Sequence, residues 1–323
     1  MKKKVVMIFT GGTIAMKVDP DLDAAVPAVE GNELMSMVRD VNEVADIETI
    51  DFSNIPSPHM TPDIMFELSK VVKENVSKDD VTGVVITHGT DTLEETSYFL
   101  DLIVDTEKPV ILVGSMRNNS ELGYDGAANI ASAIYTAIDP QAKNKGVLAV
   151  MNNEIFAARD VTKTNTVALD TFKSPELGPI GIVSNNEIIF YRDVLNRQHI
   201  NAEKIESKVA LIKGAAGLES DIVDFYVDSG YKGIVIEALG AGNVPPPMVP
   251  GIQRAIDKGI PVVLVSRCIN GRVEPVYGYE GGGKVLKDMG LILGGNLLGH
   301  KARIKLIIAL GVTHDVEEIR KYF

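Results

Sequence analysis

The chain has 323 residues, 45% of them hydrophobic and 24% charged, an ordinary globular composition that excludes the polar, highly charged class of disordered proteins. Its 44 acidic residues against 32 basic ones leave a formal charge of −12, a field that repels nucleic-acid backbones and anionic membrane surfaces. The length exceeds the roughly 100 to 200 residues of a usual domain, so two packed domains are expected.

The chain opens with Lys2-Lys3-Lys4 followed by the apolar run Val5 to Phe9. A basic start before an apolar run has the order of a signal peptide, but this run is shorter than an export core of roughly 7 to 15 residues and reads as a first strand. No stretch approaches the ~20 apolar residues of a membrane span. Val84 to Thr87, Val110 to Gly114 and Val147 to Met151 read as further buried strands. Between the first two strands lies a helical segment, Thr61 to Val76, opened by a hydroxyl cap and a proline, with apolar residues at Ile64, Leu68, Val71 and Val72. This alternation predicts an α/β fold with a mostly parallel sheet covered on both faces.

A second series begins after the polar stretch Tyr191 to Lys208, with strands at Val209 to Ile212, Ile234 to Glu237 and Val262 to Val265. The expected organisation is an N-terminal α/β domain over 1–190, a linker over 191–207 and a C-terminal α/β domain over 208–323. Gly83-Val84-Val85-Ile86 is followed 26 residues later by Pro109-Val110-Ile111-Leu112, and Gly233-Ile234-Val235-Ile236 is followed 28 residues later by Pro261-Val262-Val263-Leu264. Each pair leaves room for one crossover helix, so both read as βαβ units in separate sheets. Shared local grammar explains the echo as well as duplication would.

Ligands of open α/β sheets gather at the carboxyl ends of strands, and polar clusters follow the runs here. The first strand ends in Thr10-Gly11-Gly12-Thr13-Ile14-Ala15, where the glycines admit close backbone approach and the threonines supply hydroxyls, although the same residues also suit a plain tight turn. The next ends in Thr87-His88-Gly89-Thr90-Asp91-Thr92. Asp91 to Glu94 has the spacing of a capping box for a helix over Leu93 to Val104, a role that can coexist with catalysis. A third cluster, Arg159 to Thr166, sets Lys163 among hydroxyls. Most such lysines are solvated, yet one held in an enclosed site can take a proton from a threonine hydroxyl, which is otherwise a weak nucleophile.

Other chemistries fit the spacing poorly. His59, His88, His199, His300 and His314 form no close pair, which disfavours a zinc site. The single Cys268 excludes an intramolecular disulfide, suits a reducing compartment and reads as a buried small hydrophobe. Asp19, Asp21, Asp23 and Glu30 mimic a calcium loop, but Ala24 replaces the turn glycine and Pro20 intervenes.

Taken together, Thr10 to Ala15, Thr87 to Thr92, Gly114-Ser115-Met116-Arg117 and Asp160 to Thr166 closely resemble the motifs of the bacterial-type L-asparaginases, in the family's order. The resemblance continues through Ser266-Arg267 and Lys301-Ala302-Arg303, over nearly the whole chain. It implies a larger N-terminal domain and a smaller flavodoxin-like C-terminal domain in a cytoplasmic homodimer or homotetramer, with no cofactor or metal. It further implies that Thr13 attacks the side-chain amide of L-asparagine to form a β-aspartyl ester, while Thr90 and Lys163 form a second hydroxyl–amine pair. Backbone N–H groups near Gly89 and Thr90 would receive the oxyanion. Asp91 would hold the substrate α-ammonium, Ser57 its α-carboxylate, Ser115 would line the pocket, and Asn243 would reach a partner subunit's site.

Two departures stand out. The family's lid tyrosine, which hydrogen-bonds the nucleophile, has no counterpart between Met16 and Glu30. Tyr277 and Tyr279, beside Glu280 where the family brings an acidic residue to a partner's site, are the candidates to replace it, although both rings also suit interface packing. Many relatives with glutaminase activity carry glutamine after the serine that holds the carboxylate, whereas Pro58 stands here, so weak glutaminase activity at most is expected. The competing readings are the amidase subunit of a tRNA-dependent amidotransferase, from which a start directly at the first strand would distinguish this chain, and a non-catalytic amino-acid-binding protein.

Overall fold

The computed structural model describes residues 2–19, 22–27, 31–38, 41–195 and 197–323, and the chain divides into two compact units, Met1–His199 and Ile200–Phe323. In the first unit β1 (Lys3–Gly11) is buried from Val5 onward. A hairpin of β2 (Met16–Asp19) and β3 (Ala24–Pro27) follows, then α1 (Gly31–Ser36), α2 (Val41–Val44) and β4 (Ala45–Ile55). β4 escapes a reading by apolar runs because, among the described residues, it is an edge strand paired only with β1, and it is studded with acidic and polar residues. α3 (Pro62–Val76) begins as its sequence predicts: the Ile64 N–H donates to Thr61 Oγ1 at 3.3 Å, and Leu68 and Val72 are buried.

β5 (Val81–Thr87), α4 (Leu93–Ile103) and β6 (Val110–Val113) make the first expected βαβ unit, continued by α5 (Gly126–Ile138) and β7 (Val147–Met151). Antiparallel pairing then takes over in β8 (Glu154–Ala157), the short hairpin of β9 (Thr162–Lys163) and β10 (Phe172–Lys173), and β11 (Gly181–Ser184) with β12 (Glu187–Phe190). Among the described residues the large sheet runs β12-β11-β8-β7-β6-β5-β1-β4, so it is mixed, with a parallel half from β4 to β7. Two hairpins turn on Asn-Asn pairs with left-handed φ, 50° and 61° at Asn152 and Asn153 and 51° and 65° at Asn185 and Asn186. Positive φ at both central residues is the turn that matches strand twist.

Alternation along the strands explains the two covered faces. Val5, Met7, Val85, Ile111 and Leu148 pack with Ile130, Ala133 and Ile134 of α5, while the intervening Val6, Ile8, Val84, Ile86 and Leu112, equally buried, point to the other face. Each such aliphatic side chain contributes about 1.5 to 3 kcal/mol on burial.

The second unit is a smaller, wholly parallel sheet of β13 (Val209–Lys213), β14 (Gly233–Ala238), β15 (Val262–Ser266) and β16 (Ile292–Leu293), in chain order. Its helices are α6 (Asp221–Asp228), α7 (Val249–Asp257), α8 (Gly283–Met289), α9 (Gly299–Val312) and α10 (Val316–Arg320). Val223, Ile252, Ala255 and Leu286 close its core over Ile234, Ile236 and Leu264.

Two expectations need correction. The capping box at Asp91 does not form: the residue before α4 is Thr92, no side chain caps it, and the Asp91 carboxylate turns instead to Lys163. Cys268 is exposed rather than buried, because the chain has already left β15 at Ser266. Pro20, Asp21 and Glu30, on which the calcium-loop comparison partly rests, lie outside the described residues, as does part of the segment in which the family's lid tyrosine is missing.

Candidate active site

β1 lies between β4 and β5 in the sheet although it precedes both in the chain, so the connections depart to opposite sides and a crevice opens beyond the carboxyl ends of β1 and β5. Gly11 and Gly12, at φ 103° and 86°, let these ends meet. A Cβ on Gly12 would stand 2.2 Å from Gly89 Cα, and one on Gly11 would stand 2.5 Å from Ile55 N, so only glycine allows the two approaches. The Gly12 N–H donates to the Ile55 carbonyl at 3.0 Å. Thr13, half-buried, follows this crossing and opens a short 3-10 turn, Thr13–Ala15.

A Cβ on Gly89 would in turn meet Ser57 Cβ at 2.7 Å, so the loop after β4 closes on the same point. Ser57, 5% exposed, accepts the Asp91 N–H on its Oγ at 3.2 Å, and its carbonyl accepts from Thr92 Oγ1 at 2.8 Å. Beneath them His88 is fully buried. Its Nδ1 faces the Gly89 carbonyl at 2.8 Å and must carry the hydrogen, since a carbonyl only accepts; Nε2 therefore accepts from Thr96 Oγ1 at 2.9 Å. Burial pushes the imidazole pKa down to about 4, so the ring is neutral in neutral solution.

Lys163 arrives from the β9–β10 hairpin. Its Nζ donates to Thr90 Oγ1 at 2.9 Å and to Asp91 Oδ1 at 2.7 Å, with the lysine side chain 15% exposed and the aspartate 59%. Of the residues singled out in the sequence, the structure brings Thr90, Asp91 and Lys163 into a continuous chain of contacts, with Ser57 bonded to the Asp91 N–H and Gly89 against Gly12, the residue before Thr13. Glu94 joins it without having been expected there. Its carboxylate, 6% exposed, accepts the Lys163 N–H at 3.1 Å and so fixes the hairpin that delivers the lysine. Its spacing from Asp91 reads as a helix cap, and nothing local signals its burial. Asp91, Glu94 and Lys163 to Thr166 line a hollow of about 330 Å³.

Gly114 abuts this cluster, since a Cβ there would lie 3.3 Å from Thr90 Cγ2. Ser115 beside it is fully buried and donates its hydroxyl to the Arg117 carbonyl at 2.7 Å, which commits that hydrogen to the loop. Asn243, Tyr277, Tyr279 and Glu280 belong to the second unit. Asn243 Oδ1 accepts the Gly283 N–H at the start of α8 at 3.3 Å. Tyr277 and Tyr279, 45% and 55% exposed, lie with ring centroids 5.6 Å apart.

The family profile "Asparaginase, N-terminal" matches residues 4–196, and "Glutaminase/Asparaginase C-terminal domain" matches residues 208–323. The chain is 36% identical to an L-asparaginase of Bacillus licheniformis, covering 96% of each chain. It is also 36% identical to a glutamyl-tRNA(Gln) amidotransferase subunit of Pyrococcus horikoshii, over 98% of this chain and 74% of that one. Among solved structures, the probable cytoplasmic L-asparaginase of Campylobacter jejuni superposes with a TM-score of 0.89 at 31% identity, over 99% of both chains. With both family profiles matched in order over residues 4–196 and 208–323, the chain belongs to the asparaginase family.

Proposed function

We propose that this protein hydrolyses L-asparagine to L-aspartate and ammonia through a covalent Thr13 ester. The observation that carries the reading is the Thr90–Lys163–Asp91 chain of contacts, set against the backbone crossing of Gly12 and Gly89 that carries Thr13. Thr13 Oγ attacks the amide carbon, the C–N bond breaks with a proton delivered to nitrogen, and ammonia leaves. Water then cleaves the ester and restores the hydroxyl. Thr90, oriented by Lys163, positions that water and relays its proton, while backbone N–H groups at Gly89 and Thr90 stabilise the oxyanion.

Asp91 presents the edge of its half-exposed carboxylate to the substrate ammonium. Ser57 accepts from a backbone N–H and so keeps its own hydrogen to donate to the substrate carboxylate. The Ser115 backbone completes the pocket. The reaction calls on no metal or cofactor. Asn243, Tyr277, Tyr279 and Glu280 are proposed to act from a second copy in a homodimer or homotetramer. A cytoplasmic location accords with the similarity to the probable cytoplasmic L-asparaginase of Campylobacter jejuni.

Ammonia release from L-Asn, L-Gln and D-Asn, measured side by side without tRNA or metal, tests the reading. L-Asn is expected to be turned over fastest, with L-Gln a weak substrate. Release from none of them would indicate a binding protein or a partner-dependent amidase, and activity lost in chelator and restored by zinc would replace the threonine mechanism.

A further inference from the structure

The turn that carries Thr13 spans only Thr13–Ala15 and has no side-chain cap at its start. So short a 3-10 element holds its own orientation weakly. The loop between β6 and α5 grips it from outside. The Tyr124 hydroxyl donates to the Ile14 carbonyl at 2.9 Å, the Asn119 N–H donates to the Met16 carbonyl at 3.1 Å, and the Val18 N–H donates to Ser120 Oγ at 3.1 Å.

This loop is itself braced. Asp125 accepts the Arg117 N–H on Oδ1 and the Met116 N–H on Oδ2, each at 3.0 Å. Asn129 Nδ2 ties that carboxylate, at 2.9 Å, to the Gly114 carbonyl, at 3.0 Å. The Tyr124 ring packs against the core of the first unit and lies over the first residue of α5. A Cβ on Gly126 would stand 2.2 Å from the phenol oxygen and 2.3 Å from Cζ, so the ring occupies a place that only glycine leaves open.

We propose that Tyr124 is a positioning residue for Thr13: its phenol holds the Ile14 carbonyl and thereby the orientation of the turn from which the nucleophile attacks. The inference rests on the reading of Thr13 as nucleophile. Ile14 is fully buried, so without the phenol its carbonyl would lack that donor where water has little access, and the turn would shift to find another. A displacement near 1 Å at a nucleophile costs roughly a hundredfold in rate. Burial and the neighbouring Asp125 raise the phenol pKa, which keeps the group a donor at neutral pH rather than a base.

The test is Tyr124→Phe, which keeps the ring and removes only the hydroxyl, read by ammonia release and by hydrogen exchange of the peptide covering 10–18. The expected result is a roughly tenfold or greater fall in kcat, KM within about threefold, an unchanged shape of the kcat–pH profile and faster exchange in that peptide. A variant whose kcat stays within twofold of the parent overturns the positioning role while leaving the Thr13 reading intact. Loss of a basic limb in the pH profile overturns it in favour of a titrating role. A parent that releases no ammonia, or a Thr13→Ala variant that keeps full turnover, overturns the underlying reading and this inference with it.

Discussion

The two βαβ units, β5–α4–β6 in the first half and β14–α7–β15 in the second, share a sequence grammar and parallel pairing but bury their helices differently. α7 buries Gly251, Ile252 and Ala255 along one stripe, and its outer face carries Arg254 paired with Asp224 at 2.7 Å and with Asp228 at 2.5 Å. α4 is buried from Leu93 through Ile103 save for Glu95, and the enclosed residues include Glu94, Thr96, Ser97, Tyr98 and Asp101. Those enclosed polar groups are at work: Thr96 donates to His88, Glu94 accepts from Lys163, and Asp101 accepts the Val147 N–H at 2.9 Å. The strand–helix–strand frame is common to both halves. What separates them is whether the helix leaves one face to solvent, as α7 does with Arg254, or is enclosed with its polar side chains bonded inward, as α4 is.

The comparison breaks most sharply at the reacting groups. On the proposed mechanism, Thr13→Ala, Thr90→Ala and Lys163→Ala each remove a group the reaction would use rather than one the core needs, and each is expected to lower kcat by about 10² or more while the chain still folds. Steady-state ammonia release on protein with parental circular dichroism checks this. Near-parental turnover in Thr13→Ala together with Thr90→Ala would move the site elsewhere.

The buried His88 sharpens the comparison through pH. Its folded pKa is about 4 against an ordinary 6.5, so between those values the unfolded chain binds more protons than the folded one. Stability then rises with pH across that window: the His88 contribution is fully present above about 6.5 and is lost as pH falls toward 4, amounting to at most about 3 kcal/mol. Urea unfolding at pH 7, 5.5 and 4 should show a steeper decline for the parent than for His88→Gln. Parallel declines would remove His88 from the account.

At Asp91 the effect is expected on substrate binding. Asp91→Asn should raise KM for L-Asn by about tenfold, or roughly 1.4 kcal/mol, because an amide cannot balance an ammonium. The melting temperature should hold, because Asp91 does not cap α4. Unchanged kinetics would take it out of the pocket. The smallest effect belongs to the other half: Arg254→Ala removes solvent-exposed ion pairs and should shift Tm by no more than about 2 °C with turnover unchanged. A fall in kcat there would erase the distinction between the two helices.

Local pattern made much of this protein legible. Apolar runs marked β1, β5, β6, β7, β13, β14 and β15, Thr61-Pro62 marked the start of α3, and two of the polar clusters, 87–92 and 159–166, supply the residues that meet at Lys163. Period and capping are short-range properties, written within a few residues of where they act. The edge strand β4 and the Asn-Asn hairpins were harder to read, because an edge strand need not be apolar and a two-residue turn is visible only once its flanking strands are known. Other features had no local signal at all. Glu94 meets the Lys163 backbone across 69 residues, Tyr124 meets Ile14 across 110, and whether α4 is covered on every side depends on which strands and hairpins the sheet order lays against it. A side chain's partner at such separations is set by the order in which strands pair. That order brings the braced loop onto the Thr13 turn and encloses a glutamate that, by its sequence, belongs on the surface.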